Sequence, residues 1–219
     1  MKILKEHTPG IIALEGVDGC GKTTLADALQ DRLDNEGIRN RRVAMLAHCP
    51  ARELLLQNSH WTERERLLLI GLCAMEAARQ CRQALEDGCW VILERTELSR
   101  TVYQSMTDML VTECRNLNGI IGDFPHIDFL VFLDISFEAA QENLKKRGVP
   151  LDSIERRGDV YHMRVFNNYQ TALYGFQELQ THRKLCGTPH TEVIRIDSTA
   201  DPKMNAATIL YGINDHLTT

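Results

Sequence analysis

A chain of 219 residues with 43% hydrophobic and 25% charged side chains carries enough apolar mass for one domain core and too much for a disordered tract. Its formal net charge of −5 argues against a nucleic acid polymer as partner, because that polyanion needs a basic face; a small anionic ligand held by a few local arginines stays open. Scattered cysteines with no CxxC pair point away from a disulfide framework and a zinc site, and the lack of an apolar leader or a run of ~18 apolar residues points to a cytoplasmic chain with no membrane contact.

In chain order, Ile11 to Leu14 reads as a buried strand leading into a glycine-rich turn. A helix from about Lys22 to Glu36 follows, with Leu25, Ala28, Leu29 and Leu33 on one face and Gly37 as its stop. Val43 to Ala47 is expected as a second strand, Trp61 to Leu85 as a long helix ended by Asp87-Gly88, and Trp90 to Leu93 as a third strand. Ser99 to Leu117 has helical character. Phe129 to Leu133 is an unbroken apolar run of the kind buried on both faces of a sheet. Phe137 to Arg147 is helical, Asp152 to Gly158 a charged loop and Asp159 to about Leu185 a long helix. Val193 to Ile196 makes a fifth strand and Lys203 to His216 a final helix. Strands alternating with helices imply a parallel sheet covered on both faces, and no linker or repeat divides residues 1–219 into more than one domain.

The chemistry begins at Gly16-Val17-Asp18-Gly19-Cys20-Gly21-Lys22-Thr23, which fits G-x-x-x-x-G-K-[ST]. Glycines let the backbone close on phosphate oxygens with its N–H groups pointing inward, and the next helix offers its N-terminus to the same anion. In that arrangement Lys22 bridges the β- and γ-phosphates and the Thr23 hydroxyl is a Mg²⁺ ligand. The motif fixes a phosphate site and leaves the reaction open.

Three further segments select a reaction. Leu14 through Thr24, then Trp90-Val91-Ile92-Leu93-Glu94-Arg95-Thr96-Glu97-Leu98-Ser99 with Tyr103-Gln104, then Leu133-Asp134-Ile135 with Lys146-Arg147-Gly148, Leu151 to Glu155 and Tyr169, together resemble the thymidylate kinase family. Ile196-Asp197-Ser198 is similar to that family's late strand and loop near the adenine. The resemblance runs over nearly the whole chain. It implies a three-layer α/β P-loop kinase fold with a five-stranded parallel sheet and a short lid at about 147–158. It also implies transfer of the γ-phosphoryl group from ATP·Mg²⁺ to dTMP, and a homodimer.

The resemblance also implies roles. Gly16, Asp18, Gly19, Cys20, Gly21, Lys22, Thr23, Thr24, Arg147, Asp197 and Ser198 would meet ATP. Asp18 would accept from the sugar 3′-OH, Arg95 would hold the acceptor phosphate, Tyr103 would pack on the sugar and disfavour a 2′-OH, and Ser99 and Gln104 would also meet the substrate. The segment His48-Cys49-Pro50-Ala51-Arg52-Glu53 after the second strand resembles the family's loop carrying arginine and proline, so Arg52 would sit beside the acceptor phosphate. Glu94 stands where the family has aspartate before Arg95, so its carboxylate would join Thr23 at the metal. Gly19 and Cys20 occupy the place where some members carry an arginine in the loop. The chain therefore resembles the subgroup whose lid arginine is catalytic. That subgroup's own arginine position is Ser153 here, which leaves Arg156 or Arg157 to substitute.

The chain departs from the family at the base. Where the family has an aromatic residue and, about four positions on, an arginine, this chain reads Leu69-Ile70-Gly71-Leu72-Cys73-Ala74. Ile70 falls on the substrate side of that stretch. Arg100, after Ser99, is expected to replace the lost arginine from the other wall. A kinase of another nucleotide or nucleoside and a non-catalytic nucleotide-binding regulator stay open, while a GTPase lacks its N-K-x-D motif after the fourth strand. The histidines, among them His126, His182, His190 and His216, show no metal-ligand spacing and read as surface or core residues.

Overall fold

The computed structural model describes residues 4, 6–46, 49–57, 60–104, 113, 116–117, 120, 124–148 and 154–218. Five strands, β1 (Ile11–Glu15), β2 (Asn40–Ala44), β3 (Trp90–Glu94), β4 (Phe129–Asp134) and β5 (Glu192–Asp197), form one sheet in the order β2-β3-β1-β4-β5. Every pairing is parallel, with Ala13 opposite Leu93 on one side and Leu130 on the other. The helices are α1 (Lys22–Asn35), α2 (Pro50–Gln57), α3 (Glu63–Glu86), α4 (Glu97–Gln104), α5 (Phe137–Lys146), α6 (Asp159–Leu185) and α7 (Pro202–His216), with a 3₁₀ turn at Glu155–Arg157.

The period-two alternation of the strands divides the core into two layers. Ile12, Leu14 and Ile92 face α1, α6 and α7, joining Leu25, Leu29, Leu33, Tyr169 and Ile209. Ile11, Ala13, Val91 and Leu93 face α3, meeting Ala74, Ala77, Cys81 and Ala84. Small side chains at that helical spacing let α3 lie close to the sheet. Its start is fixed by a capping box: the Thr62 side chain accepts from the Glu65 amide while Glu65 accepts from the Thr62 amide at 2.7 Å. Asp201 caps α7 with its side chain, accepting from the Lys203 and Met204 amides.

Two expectations need correction. The second strand lies at Asn40–Ala44, three residues before the expected start at Val43. It is an edge strand paired only with β3, so its register follows that partner, and Val43 alone of its residues is fully buried. The segment from Pro50, expected as a loop, is helical to Gln57. Proline suits a first helical turn, and Ala51 and Leu55 bury one turn apart. Of the helix expected at Ser99 to Leu117, the stretch to Gln104 is helical, with Glu97 as its first residue; residues 105–112 lie outside the described ones, as do His48 and Ser153.

The order of the strands places the site. The chain leaves β1 for the β2–β3 side, then returns to add β4 on β1's other edge. In open α/β sheets ligands bind at the strand carboxyl ends beside such a reversal, which is where the residues after Glu15, Glu94 and Asp134 collect.

Candidate active site

A cleft of about 780 Å³ opens there. It is lined by the phosphate loop from Asp18 to Leu25, by Glu94 and Arg95 after β3, and by Ser99, Arg100 and Tyr103 on α4. Arg52 and Leu55 on α2, Ile70 on α3, Asn143, Lys146 and Arg147 around the end of α5, and Ser198 to Ala200 after β5 also line it.

The loop is built as the motif requires. Gly16, Gly19 and Gly21 all take positive φ, at 149°, 84° and 91°. At Gly19 a Cβ would sit 2.2 Å from the Ala140 carbonyl oxygen, so α5 closes against the loop and Asn143 donates to the Gly19 carbonyl at 2.9 Å. No side chain caps α1 and no acid lies in its first turn, which leaves its first amides for an anion. The Lys22 ammonium donates to the carbonyls of Gly16 and Val17, each at 2.8 Å, and touches Cys20 Sγ at 3.5 Å. Cys20 itself is 1% exposed and fills the space under the loop.

Beside the loop, the Thr23 hydroxyl donates to Glu94 Oε2 at 2.9 Å. The other oxygen, Oε1, accepts from Arg42 Nε at 2.7 Å, and Arg42 also pairs with Asp27. Reading the sequence missed Arg42; its place two residues before Ala44, which stands opposite Glu94, is visible only once the β2–β3 register is known.

Asp18, Arg95 and Tyr103 form one unit. The Arg95 guanidinium is hydrogen-bonded to Asp18 Oδ1, and its carbon lies 5.2 Å from the Tyr103 ring centre. The Tyr103 hydroxyl donates to Asp18 Oδ2 at 2.8 Å and accepts from the Asp18 amide at 3.1 Å. Burial alone would raise the Asp18 pKa. The charges of Arg95 and Lys22 and the hydrogen bonds from Tyr103 and Arg95 outweigh it, lowering the carboxyl from 3.8 to about 2. Asp18 is therefore an ionised, acceptor-only group at neutral pH. Arg95 holds φ at 70°, the one non-glycine residue with positive φ among those described. Such a backbone costs about 1–2 kcal/mol, and the paired guanidinium together with the Arg95 amide bond to the Leu14 carbonyl at 3.0 Å offsets it.

Below this unit lies Glu15, a fully buried carboxylate. It accepts from the Thr96 amide (2.6 Å), the Thr96 hydroxyl (2.7 Å), the Ser99 amide (3.2 Å), the Ser99 hydroxyl (2.7 Å) and the Tyr169 hydroxyl (3.0 Å). These bonds pin the start of α4 to the end of β1 and so set where Arg95, Ser99 and Tyr103 stand. Ser99, expected at the substrate, lines the cleft, and its hydroxyl donates to Glu15, meets the Tyr169 hydroxyl at 2.6 Å and accepts from Arg95 at 3.4 Å. Glu15 had a sequence signal that went unused: a lone acid ending a wholly buried apolar strand needs several donors.

The other expected residues divide into two groups. Thr24, Arg52, Ile70, Arg100, Arg147 and Ser198 line the cleft, and Arg100 is 4% exposed. Asp197, Arg156 and Arg157 do not. The Asp197 carboxylate accepts from the amide and hydroxyl of Thr199, at 2.8 and 2.6 Å, and shapes the turn that carries Ser198. Arg157 pairs with Glu63 at 2.8 Å and lies 4.8 Å over the Tyr161 ring, while Arg156 is exposed. Arg147 makes two bonds to Glu155, at 2.8 and 2.7 Å.

Comparison with known proteins settles the family. The family described as thymidylate kinase matches residues 14–184. The chain belongs to the thymidylate kinase family. It is 33% identical to the thymidylate kinase of Rhizorhabdus wittichii over 172 residues, 74% of this chain and 83% of that one. It is 31% identical to the Synechococcus sp. (strain CC9605) thymidylate kinase over 194 residues, 82% of this chain and 88% of the relative. The Chromohalobacter salexigens thymidylate kinase is 31% identical over 172 residues, covering 74% and 81%. The thymidylate kinase match takes in the phosphate loop, the Glu94-Arg95 turn, α4 and the 3₁₀ turn together, so most of the cleft lies inside it.

Proposed function

We propose that this chain transfers the γ-phosphoryl group of ATP to dTMP, giving ADP and dTDP. The observation that carries this reading is the joining of a phosphate loop to the Asp18–Arg95–Tyr103 unit across one cleft, in a chain of the thymidylate kinase family. Phosphoryl transfer needs alignment and charge neutralisation more than covalent chemistry, and the two groups of residues supply those on opposite sides of the γ-phosphorus.

In this reading the amides of residues 19–24 hold the ATP phosphates, and Lys22 exchanges the Gly16 and Val17 carbonyls for β- and γ-oxygens. Arg95 and Arg52 hold the acceptor phosphate, an oxygen of which attacks the γ-phosphorus as the bond to the β–γ bridging oxygen breaks. Asp18 accepts from the 3′-OH with the lone pairs that Arg95 and Tyr103 leave. The Tyr103 ring, fixed by its own hydroxyl bonds, packs on the sugar. Ile70 and Arg100 bound the base, and Arg147 and Ser198 meet the adenosine half of ATP. Release of Arg157 from Glu63, or a turn of Arg156, would bring a further positive charge to the transferring group from a lid at about 147–158.

The Thr23 hydroxyl and the Glu94 carboxylate, hard oxygen donors 2.9 Å apart beside the loop, suit Mg²⁺. Bound there, Mg²⁺ would neutralise phosphate charge; Arg42 keeps Glu94 turned toward Thr23.

Three coarser readings accompany this one. No described helix is long and apolar enough to cross a membrane, and the described cysteines are unpaired, which supports a reducing, cytoplasmic compartment. Leu68, Leu72 and Met75 stand exposed along one stripe of α3, which supports a homodimer through that helix. Residues 1–219 would then act as one domain. The test is transfer of label from γ-labelled ATP to dTMP by purified protein, with Lys22→Ala as the control. Protein that binds ATP and never labels dTMP would sink the reading.

A further inference from the structure

The end of the sheet remote from the cleft carries a cluster that the proposed reaction does not use. His190 precedes β5, Glu192 begins it and His216 ends α7. His190 Nε2 lies 3.2 Å from Glu192 Oε1, and His216 Nδ1 lies 3.5 Å from the same oxygen. All three ligand atoms fall within 4.8 Å of one another. In sequence the two histidines are 26 positions apart (216 minus 190), so no motif spacing reveals them.

We propose that His190, Glu192 and His216 form a binding site for a late first-row divalent cation of the Zn²⁺ type. With bonds of about 2.0–2.1 Å to nitrogen and oxygen, the edges of a tetrahedral zinc site are about 3.3–3.4 Å. The two N–O separations straddle that edge, and the two imidazole nitrogens, within 4.8 Å of each other, need only close onto a shared ion. The His190 ring is already oriented for coordination, since its Nδ1 meets the Thr188 carbonyl at 3.3 Å. With Nδ1 donating to that carbonyl, a cation would take the place of the proton through which Nε2 meets Glu192, which is how metal-bound imidazoles are commonly oriented. The backbone is anchored too, because His126 Nε2 meets the His190 carbonyl at 3.2 Å. The His216 ring packs edge-on to Phe129, with centroids 5.6 Å apart.

The donor set decides the class of cation. Two imidazoles and one carboxylate suit Zn²⁺, Ni²⁺ or Cu²⁺, and not the oxygen-seeking Mg²⁺ that suits the cleft. The Lys184 ammonium also pairs with Glu192 Oε1, so a metal must displace it. Since β5 rises ~3.3 Å per residue, this site lies roughly 17 Å from Asp197 at the cleft end. Its effect is to clip the end of α7 to the start of β5, not to touch the nucleotide.

The test is calorimetric titration of untagged, chelator-stripped protein with ZnCl₂. One equivalent should bind with micromolar or tighter affinity and raise the melting temperature. His190→Ala/His216→Ala should weaken binding by roughly 100-fold, with phosphoryl transfer and the circular dichroism spectrum unchanged. His7→Ala, on an exposed residue, should bind Zn²⁺ as the parent does. Lys184→Ala, which keeps all three ligands, should bind Zn²⁺ several-fold more tightly. Parent protein that takes up no Zn²⁺ in this range overturns the proposal. So does a double variant that binds as the parent does, or an unchanged affinity in Lys184→Ala.

Discussion

The unit under Arg95 and the turn at Glu155–Arg157 both present arginines near the cleft, but they are held in opposite ways. Arg95 is locked by several fixed partners: Asp18 beside it, Tyr103 beneath it, and the buried Glu15 fixing the turn that carries it. Arg157, half-buried itself, is held by Glu63, whose side chain is 40% exposed, and the 44% exposed Arg147 pairs with the buried Glu155. Charges buried among fixed partners are preorganised and structural at once; solvated pairs contribute about 0–1 kcal/mol and can be exchanged cheaply. In the proposed reaction the first kind would define the acceptor and the second would arrive with the reacting complex.

The contrast can be broken by separating rate from stability. Replacing both Arg156 and Arg157 by alanine should lower kcat by about 10³, as loss of a transition-state arginine does, while the unfolding free energy changes by less than about 1 kcal/mol. Arg95→Ala should lower kcat by about 10²–10³ and also cost about 1–3 kcal/mol, because the half-buried Asp18 loses its cation and a charged hydrogen bond. If the double variant lost as much stability as Arg95→Ala, or Arg95→Ala lost none, the distinction would fail. Steady-state kinetics and urea unfolding report both quantities.

Acid sharpens the same contrast. With the Asp18 carboxyl lowered from 3.8 to about 2, its ionised form contributes stability above pH 3.8 that is lost as pH falls toward 2. The contribution is about 2 kcal/mol, and Asp18→Asn should flatten that part of the stability–pH curve. A curve of unchanged slope in the variant would show that Asp18 is not the group titrating. Glu15→Gln is the smallest change: it keeps the shape and removes the charge that five donor atoms converge on. It should cost about 1–3 kcal/mol and raise KM for the acceptor more than it lowers kcat. An unaltered melting temperature would mean that Glu15 does not hold α4 in place.

The sequence was most legible where a local rule suffices. The phosphate loop, with glycines at the three positive-φ positions, and the apolar runs of β1, β3 and β4 were readable because each is buried on both sides or fixed by a backbone need. β2 was misplaced because an edge strand with Asn40, Arg41 and Arg42 lacks that apolar run. Arg42 and Glu15 were missed as site residues because their meaning comes from partners 52 and 81 positions away in sequence. The histidines showed no spacing because a sheet end and a helix end bring them together only in the fold.

The role of the cleft turns on what it phosphorylates. The decisive measurement is ADP release with ATP·Mg²⁺ across the common ribo- and deoxyribonucleoside monophosphates, with product identity checked by chromatography. The predicted result is turnover with dTMP above every other acceptor, abolished by Lys22→Ala. Saturable ATP binding with no phosphorylation of any nucleoside monophosphate would contradict it.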